Sequence, residues 1–327
     1  MILLRVENLT KTYPSPDSGF GKRKRIQAVT DVSLTIDEGE TLGLVGESGS
    51  GKSTLGRIIV GLEKPDSGEV YFRGRNIAEV KGKEKIQLRT DLQIVFQDPW
   101  ASLNPRKRIY DTLSAPMLFH RFATKENVEE KILDLLNKVG LSSDAAQRYP
   151  HEFSGGQRQR IGIARALALQ PKLIVADEPV SALDVSIRAQ ILNLLDELQE
   201  ELNLTLLFIA HGLASIKYLS DRIAVMYCGR IVEIAETEAL FSNTYHPYTK
   251  ALIASSPVPD PYRIQEPEGL LAGEIPSNVD PPTGCYFHPR CSLAEESCCE
   301  ITPELTPVPG DETHLAACPI TIARGGS

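Results

Sequence analysis

Residues 46–53, Gly-Glu-Ser-Gly-Ser-Gly-Lys-Ser, have the types and spacing of a loop that binds phosphate. Three glycines allow the backbone to wrap closely around an anion, because they carry no Cβ that would block the approach. The amide groups of the loop and the start of the next helix then face the phosphate oxygens. Lys52 supplies a positive charge to the β- and γ-phosphates, and Ser53 offers a hydroxyl ligand to Mg²⁺.

This pattern predicts a bound nucleoside triphosphate with Mg²⁺. The residues expected to contact the nucleotide from this loop are Gly46, Glu47, Ser48, Gly49, Ser50, Gly51, Lys52, Ser53 and Thr54.

Two adjacent carboxylates follow much later in the chain. Asp177 closes the apolar stretch 173–177, and Glu178 comes directly after it. A carboxylate at the end of such a strand can hold Mg²⁺ through its water shell, since Mg²⁺ prefers oxygen ligands and retains part of its hydration. The sequence therefore predicts that Asp177 and Ser53 lie on the same metal ion.

The elements that position these residues are read from hydrophobic periodicity. Residues 2–7 and 27–36 alternate apolar and polar side chains, which is typical of half-buried antiparallel strands. A short apolar strand, 41–45, enters the phosphate-binding loop, and apolar residues recur at helical spacing after it. Buried strands are also predicted at 173–177 and 204–210. Strands that alternate with helices predict an α/β fold with a mostly parallel sheet covered on both faces.

Composition limits the function classes. The 327 residues allow roughly two domains. A net charge of −8 argues against a protein that mainly holds nucleic acid. No apolar stretch approaches the about 18–20 residues that cross a bilayer, and the N-terminus lacks a signal-peptide layout. A cytosolic protein is expected.

Residues 153–160, Phe-Ser-Gly-Gly-Gln-Arg-Gln-Arg, lie between the loop and the carboxylates and resemble the signature motif of ATP-binding cassette (ABC) ATPases. This resemblance implies a RecA-like parallel-sheet core, an antiparallel β subdomain and a helical subdomain at about 98–165, within an ATP-binding domain of residues 1–255. It also implies a dimer, in which the signature residues contact ATP bound by the other subunit. These residues are Ser154, Gly155, Gly156 and Gln157.

The resemblance assigns further roles. Glu178 corresponds to the general base that polarises the attacking water, and His211 to the switch histidine that reaches the γ-phosphate. Gln97 resembles the glutamine that contacts Mg²⁺ or water and senses the transporter. Tyr13 resembles the aromatic residue that stacks on adenine. The predicted catalytic residues are Glu178, His211 and Gln97, and the predicted Mg²⁺ ligands are Ser53, Gln97 and Asp177.

Residues 181–184, Ser-Ala-Leu-Asp, resemble the D-loop that crosses the dimer interface, so Ser181 and Asp184 are assigned to it. Two positions depart from the usual family pattern. Phe153 stands where leucine is commoner, and both are apolar anchors. Gly212 follows His211 where an acidic residue is usual. This departure bears on the local geometry of the switch loop but not on the assignment of His211.

Four longer stretches, 97–106, 149–154, 179–186 and 246–252, resemble the ATPases of dipeptide and oligopeptide importers. The resemblance implies two membrane permease subunits, a second ATPase that more often differs from the first, and, indirectly, an extracytoplasmic substrate-binding protein. The chain would then lie peripherally on the cytoplasmic face of the membrane. Importers of nickel, glutathione and some sugars use close relatives, so the substrate stays open.

Residues 256–327 are predicted to form a small, irregular extension rich in proline and cysteine. Cys285, Cys291, Cys298 and Cys318 have a spacing that suits four thiolate ligands, although Cys299 leaves the third ligand ambiguous. The family resemblance implies a [4Fe-4S] cluster there. Zn²⁺ and unliganded cysteines are the alternatives, and the C-x₂-C pairs typical of zinc are absent from the sequence.

Two other functions compete with import. A soluble ABC ATPase that acts on DNA, ribosomes or Fe–S assembly would tend to carry coiled-coil insertions, a second cassette or a basic surface. An exporter would commonly carry fused membrane spans. The sequence shows none of these features, so it favours the ATPase subunit of a peptide-type importer, without a nucleic-acid partner.

Overall fold

The computed structural model describes residues 1–15, 24–98, 100, 103–255, 274 and 276–326. The first part of the predicted extension, 256–273, lies outside the described residues, as do positions 99, 101 and 102 of the predicted stretch 97–106. Among the described helices, none combines the length and the apolar composition that a bilayer crossing requires.

The strands of the described chain are β1 (Ile2–Pro14), β2 (Arg25–Asp37), β3 (Thr41–Val45), β4 (Ser67–Phe72), β5 (Arg75–Asn76), β6 (Leu92–Val95), β7 (Leu173–Asp177), β8 (Thr205–Ala210), β9 (Arg222–Tyr227), β10 (Arg230–Glu236), β11 (Thr306–Val308) and β12 (Asp311–Ala316). Its α-helices are α1 (Lys52–Ile59), α2 (Gly82–Asp91), α3 (Ile109–Phe119), α4 (Val128–Lys138), α5 (Gly155–Leu167), α6 (Val185–Leu202), α7 (Leu213–Leu219), α8 (Thr237–Ser242), α9 (Pro247–Ala254), α10 (Glu296–Glu300) and α11 (Pro319–Arg324). Short 3₁₀ turns occupy Ser143–Gln147, Pro150–Glu152 and His288–Arg290.

Two sheets form the framework. The smaller is antiparallel, in the order β2-β1-β4-β5, and it contains both strands predicted from alternating side chains. The larger has the order β11-β12-β10-β9-β3-β8-β7-β6. Its central strands run parallel, whereas β10, β11 and β12 are antiparallel additions at one edge. Every residue of β3, β7 and β8 is buried, as expected for strands covered on both faces.

Successive side chains of the large sheet face two different cores. Leu207 and Ile209 of β8 join a cluster with the small sheet and α1. Leu206 and Phe208 of the same strand join a cluster with the helices on the opposite face. This alternation follows from the period of two in a strand. Because the strand ends lie between two packed layers, the polar residues that follow β3, β7 and β8 are held in fixed positions.

The helical region 98–165 was predicted correctly as mainly helical. Helices α3, α4 and α5 pack against one another, and their buried faces belong to the same apolar cluster as the sheet. Ser154 is the N-cap of α5, and its hydroxyl accepts a hydrogen bond from the Gln157 N–H at 3.4 Å. In return, the side-chain amide oxygen of Gln157 accepts a hydrogen bond from the Ser154 N–H at 3.0 Å. This capping box fixes the start of the helix.

The extension is less irregular than predicted. Its strand β12 pairs with β10, and β11 pairs with β12, so the last part of the chain completes the edge of the large sheet. Glu233 on β10 is fully buried, and its carboxylate accepts hydrogen bonds from the backbone N–H groups of Tyr245 (2.8 Å) and His246 (3.0 Å). His314 of β12 lies 2.8 Å from the same carboxylate. This buried network ties the extension to the preceding part of the chain.

Candidate functional site

The phosphate-binding loop follows β3 directly and leads into α1, so it lies at the N-terminus of a helix, where an anion is favoured. Gly51 shows why glycine is needed here. Its φ of +104° is unfavourable for other residues, and a Cβ would lie 1.9 Å from the carbonyl oxygen of Ala28. The loop can therefore pass this close to β2 only without a side chain.

Lys52 is buried inside the loop that it belongs to. Its ammonium group donates hydrogen bonds to the carbonyl oxygens of Gly46 (2.7 Å) and Glu47 (2.9 Å). Burial lowers the pKa of Lys52 to about 8, although Glu178, Asp177 and Glu47 act in the opposite direction. The lysine bonds the loop from inside and carries a charge that a phosphate would stabilise.

The two residues predicted to share a metal ion are in direct contact. The Ser53 hydroxyl on α1 donates a hydrogen bond to Asp177 Oδ1 at the end of β7, at 2.8 Å. Asp177 is 3% exposed. A hydroxyl and a carboxylate at this separation form a set of hard oxygen donors that suits Mg²⁺. The arrangement fits the ion that the sequence predicts, whereas Gln97, the third predicted ligand, bonds to Glu178 instead.

Glu178 is the centre of a second contact group. Its φ of +49° is in the left-handed region, and its N–H donates to the Ile209 carbonyl oxygen at 3.0 Å, which turns its side chain off the line of β7. The Gln97 side-chain amide donates to Glu178 Oε2 at 2.8 Å, and His211 Nε2 contacts Glu178 Oε1. Glu178 is 5% exposed, and both of its carboxylate oxygens contact neighbouring side chains.

The D-loop residues take up two different positions. The Ser181 hydroxyl donates to the Glu178 carbonyl oxygen at 3.2 Å and lies 3.5 Å from the side-chain nitrogen of Gln97. Asp184 caps α6 by accepting a hydrogen bond from the Ile187 N–H at 2.9 Å. Ser181 therefore belongs to the Glu178 group, whereas Asp184 serves the start of the next helix.

Tyr13 lies at the end of β1, and its hydroxyl bonds to the Glu63 carboxylate. Burial and this carboxylate raise the pKa of Tyr13, while the hydroxyl of Thr54 acts in the opposite direction. The ring is therefore held beside the end of the phosphate-binding loop. It is also contacted by Lys11, whose ammonium group lies 5.4 Å from the ring centroid.

The signature residues lie on a separate element, the N-terminus of α5. Ser154 and Gln157 bond each other in the capping box, and Gly155 and Gly156 form the first turn of the helix. A Cβ on Gly156 would lie 2.3 Å from the Ile187 side chain, so the glycine allows α5 and α6 to approach closely. The first turn carries amide groups and the positive end of a helix dipole, which suits an anion.

Three residues that the sequence does not predict as site residues contact the phosphate-binding loop from other parts of the chain. The Arg290 guanidinium, on the 3₁₀ turn His288–Arg290, bonds both carboxylate oxygens of Glu47. Tyr248 of α9 accepts a hydrogen bond from the Glu47 N–H at 2.9 Å. The Asn278 side chain donates to the Gly49 carbonyl oxygen at 2.8 Å. The sequence contained no signal for these contacts, because none of the three residues lies within a phosphate-binding pattern.

The four predicted cysteine ligands lie in one region of the extension. The Cys285 N–H donates to the Cys298 carbonyl oxygen at 2.8 Å. Burial raises the pKa of the Cys285 thiol to about 11, with smaller contributions in the same direction from Cys298, Cys318 and Cys291. However, the described residues contain no group of three or more His, Cys, Asp or Glu side chains that could hold a metal ion. The predicted [4Fe-4S] cluster and the Zn²⁺ alternative are therefore not supported by the described residues.

Comparison with known proteins gives the family. Residues 29–181 match the family model described as ABC transporter. Residues 232–298 match the model described as oligopeptide/dipeptide transporter, C-terminal region. The chain is similar to a solved structure of the ATP-binding cassette MJ0796, a dimer in a post-hydrolysis state bound to ADP and Pi. The TM-score is 0.64 and the sequence identity 32%, and the match covers 72% of this chain and 98% of that chain.

Two curated relatives are similar over nearly their whole length. The probable peptide ABC transporter ATP-binding protein y4tS of Sinorhizobium fredii is 52% identical over 318 residues, covering 97% of this chain and 89% of the relative. The dipeptide transport ATP-binding protein DppF of Haemophilus influenzae is 48% identical over 303 residues, covering 93% and 92% respectively.

The fold and the site define an ABC-type ATPase, which binds ATP with Mg²⁺ and couples its hydrolysis to transport. More particularly, the chain belongs to the ABC transporter ATPases that carry the C-terminal region of oligopeptide/dipeptide transporters.

Proposed function

We propose that this chain is the ATP-hydrolysing subunit that powers the import of di- and oligopeptides through a membrane permease. The observation that carries the proposal is the convergence of the Ser53–Asp177 pair and the Glu178–Gln97–His211 group beside Lys52. The peptide specificity is supported by the names of the relatives and by the matched C-terminal region. Related importers of nickel, glutathione or sugars are the alternative.

In the proposed reaction, Glu178 is the general base that takes a proton from the attacking water. Its carboxylate is almost fully buried and held from two sides, by the Gln97 amide and by the His211 ring. A base that is fixed in this way can orient a water molecule in line with the γ-phosphate. Gln97 also contacts the D-loop, so a displacement of Gln97 would change the position of the base.

The phosphate-binding loop and Lys52 would hold the β- and γ-phosphates, with Tyr13 against the adenine. Ser53 and Asp177 would hold the Mg²⁺, whose charge neutralises the negative charge that develops on the phosphates. His211 would reach the γ-phosphate from its position beside Glu178. The two carboxylate oxygens of Glu178 thus connect the proposed base to Gln97 and His211, the side chains that would sense the nucleotide.

The signature residues Ser154–Gln157 are proposed to act on ATP bound by a second ATPase subunit. Their amides and the dipole of α5 would contact the γ-phosphate there, and Ser181 and Asp184 would lie along the same interface. Loss of the γ-phosphate would then remove these bonds and allow the subunits to separate. We propose a different, homologous ATPase as the second subunit, with two permease subunits and, indirectly, a substrate-binding protein.

A peripheral position on the cytoplasmic face of the membrane belongs to the same proposal. The helical region α3–α5 would receive the permease, since Gln97 lies between this region and the base. Trp100 is 49% exposed beside Gln97, and the Arg158 guanidinium of α5 stacks 3.6 Å from its ring centroid. An exposed aromatic–arginine pair is a composition that is typical of protein interfaces.

The experiment is reconstitution of the complex that a tagged chain retains from detergent-solubilised membranes. Mass spectrometry of that complex identifies the second ATPase and the permease subunits. In proteoliposomes with the cognate binding protein, dialanine or trialanine should stimulate ATP hydrolysis, whereas Ni²⁺ and reduced glutathione should not. Stimulation by Ni²⁺ or glutathione alone would exclude peptide import, and recovery of only soluble partners would exclude transport.

A metal held by the four cysteines is a separate proposal, supported only by their spacing in the sequence and by their proximity in the extension. The observed arrangement does not by itself fit a metal ion. Anaerobically purified protein should be brown and absorb near 400 nm if a [4Fe-4S] cluster is present. Colourless protein with stoichiometric zinc would establish Zn²⁺, and metal-free protein would leave the cysteines unliganded.

A further inference from the structure

The extension contacts the phosphate-binding loop through a nearly buried ion pair. Arg290 Nη1 lies 2.8 Å from Glu47 Oε2, and Arg290 Nη2 lies 3.1 Å from Glu47 Oε1. The arginine side chain is 3% exposed and the glutamate side chain 19%. The pairing of two parallel N–H···O bonds fixes orientation as well as distance, and limited access to water strengthens it. The second residue of the loop is therefore attached to the extension in a defined geometry.

Other contacts hold the same half of the loop. The Glu47 N–H donates to the Tyr248 hydroxyl at 2.9 Å, and the Asn278 side chain donates to the Gly49 carbonyl oxygen at 2.8 Å. The backbone of Asn278 is itself fixed, because its carbonyl oxygen accepts a hydrogen bond from the Gln27 N–H at 2.8 Å. The loop thus lies between Lys52 on its inner side and the extension on its outer side.

Arg290 is also fixed by its surroundings. The Tyr227 hydroxyl at the end of β9 lies 3.3 Å from Nη1. The Glu47 carboxylate raises the pKa of the Arg290 guanidinium, so the group stays charged. Loss of either partner of such a pair leaves the other charge poorly solvated, which favours a rearrangement of the loop.

The orientation of this loop determines nucleotide affinity, because the loop binds phosphate mainly through its backbone amides. A small rotation at Glu47 would turn these amides away from the phosphate oxygens and would also move the carbonyl groups that hold Lys52. A side chain that fixes Glu47 therefore acts on the nucleotide without touching it.

We propose that Arg290 is a positioning residue for the phosphate-binding loop and that, through it, the C-terminal extension and the bound nucleotide stabilise each other. The inference rests on the ATP-binding function given above. Because coupling between two sites is reciprocal, an ordered extension raises ATP affinity, and bound ATP orders the extension. Arg290 lies between Cys285 and Cys291 and is directly followed by Cys291, so a short stretch of chain joins the cysteines to the loop contact.

The test is a double-mutant cycle in the full-length chain, with Arg290→Met, Glu47→Gln and the combined variant. The measurement is the Kd for the non-hydrolysable β,γ-imido analogue of ATP with Mg²⁺. We expect Arg290→Met to weaken binding about tenfold, within the usual range of such couplings. The combined variant should bind no more weakly than Arg290→Met alone, because the two changes remove one interaction. Arg290→Lys should restore part of the affinity.

Two control variants break ion pairs that do not touch the loop. Arg222→Met removes the partly buried pair with Glu40 (2.9 Å), and Arg324→Met removes the exposed pair with Glu295 (2.9 Å) within the extension. Both should bind the analogue within about twofold of the wild type. In hydrolysis assays, Arg290→Met should raise KM for ATP by a larger factor than it lowers kcat.

Hydrogen exchange provides a second readout that does not depend on activity. The analogue should slow exchange of the backbone amides in 276–291 in the wild type but not in Arg290→Met. An unchanged Kd in Arg290→Met, or losses that multiply in the combined variant, would overturn the inference. If Arg290→Met does not fold, Arg290→Lys and Glu47→Gln carry the same test. Wild-type protein that fails to bind the analogue would instead refute the ATP-binding function.

Discussion

The nucleotide site and the C-terminal extension are built in different ways. In the nucleotide site, short sequence patterns place each side chain at the end of a buried strand or the start of a helix, so the local backbone decides the geometry. In the extension, the side chains that contact the rest of the protein are Arg290 on a 3₁₀ turn, Asn278 in an irregular segment and His314 on an edge strand. Their partners are distant in the sequence, so the tertiary fold determines these contacts. The residues of the nucleotide site can therefore be predicted from sequence motifs, whereas the tertiary contacts that hold the site in place cannot.

The two regions also differ in how charge is used. The buried carboxylate of Glu178 contacts the polar side chains of Gln97 and His211, and we propose that this arrangement serves catalysis. Glu233 is buried among two backbone N–H groups and His314, an arrangement that only connects elements. Substitutions in each region should therefore affect different measured quantities.

The largest effect is expected from Glu178→Gln, which removes the proposed base but preserves its shape. The kcat for ATP hydrolysis should fall by about 10³-fold, within the range for loss of a general base, while ATP binding persists and the ATP-bound dimer accumulates. Single-turnover hydrolysis and size-exclusion chromatography with ATP measure both results. Glu295→Gln, which makes the same change at an exposed carboxylate of the extension, is the matched control; hydrolysis by Glu178→Gln at the wild-type rate would remove Glu178 from its role.

The next largest effect lies in the extension. His314→Leu removes one partner of the fully buried Glu233 and should lower the free energy of unfolding by about 3 kcal/mol, because a buried carboxylate then lacks its side-chain partner. Urea denaturation monitored by circular dichroism measures this change. His151→Leu, on an exposed side chain, should leave stability unchanged. Equal stability of the two variants would show that the network does not anchor the extension.

A smaller effect concerns pH and Lys52. The pKa of Lys52 is lowered to about 8 by burial, and bound phosphates should raise it again. Above pH 8 the binding of the ATP analogue should therefore take up a proton, and affinity should fall about tenfold between pH 7 and pH 9. Calorimetry in two buffers with different ionisation enthalpies measures the uptake, which should be about half a proton at pH 8. Zero uptake at that pH would contradict the lowered pKa.

The lowered pKa of Lys52 also makes the stability of the folded protein depend on pH. Since the lysine binds its proton more weakly in the folded protein, the unfolded chain binds more protons between pH 8 and the usual pKa of lysine. The contribution of Lys52 to stability is therefore unfavourable below pH 8 and becomes less so as the pH rises through that window.

The smallest effect is expected from Arg324→Met in the extension. Arg324 and Glu295 are both about half exposed, so their ion pair is screened by water and should contribute less than about 0.5 kcal/mol. Urea denaturation measures the difference. A loss as large as that of His314→Leu would remove the distinction between buried and exposed anchors in this region.

Much of the fold could be predicted because period-two and period-3.6 patterns are local. The strands before the loop, at 173–177 and near 204–210, were located almost to the residue. The pairing of β12 with β10 could not be predicted, since antiparallel edge pairing depends on contacts between distant parts of the chain. For the same reason, the sequence indicated that Gln97, Glu178 and His211 act together but not that both oxygens of Glu178 are engaged.

The sequence by itself determined the phosphate-binding loop, the carboxylates at the end of β7, and the family, because these depend on residue types at fixed local spacings. Only the tertiary structure decided that the extension completes the large sheet and that Arg290 holds Glu47. The paired residues Glu233 and Ala316 are 83 positions apart, and Glu47 and Arg290 are 243 positions apart. Such pairs are selected by packing and by the loss of water around charges rather than by any local pattern. Within the part of the chain that the structure describes, no group of side chains supports the metal cluster that the family resemblance implies.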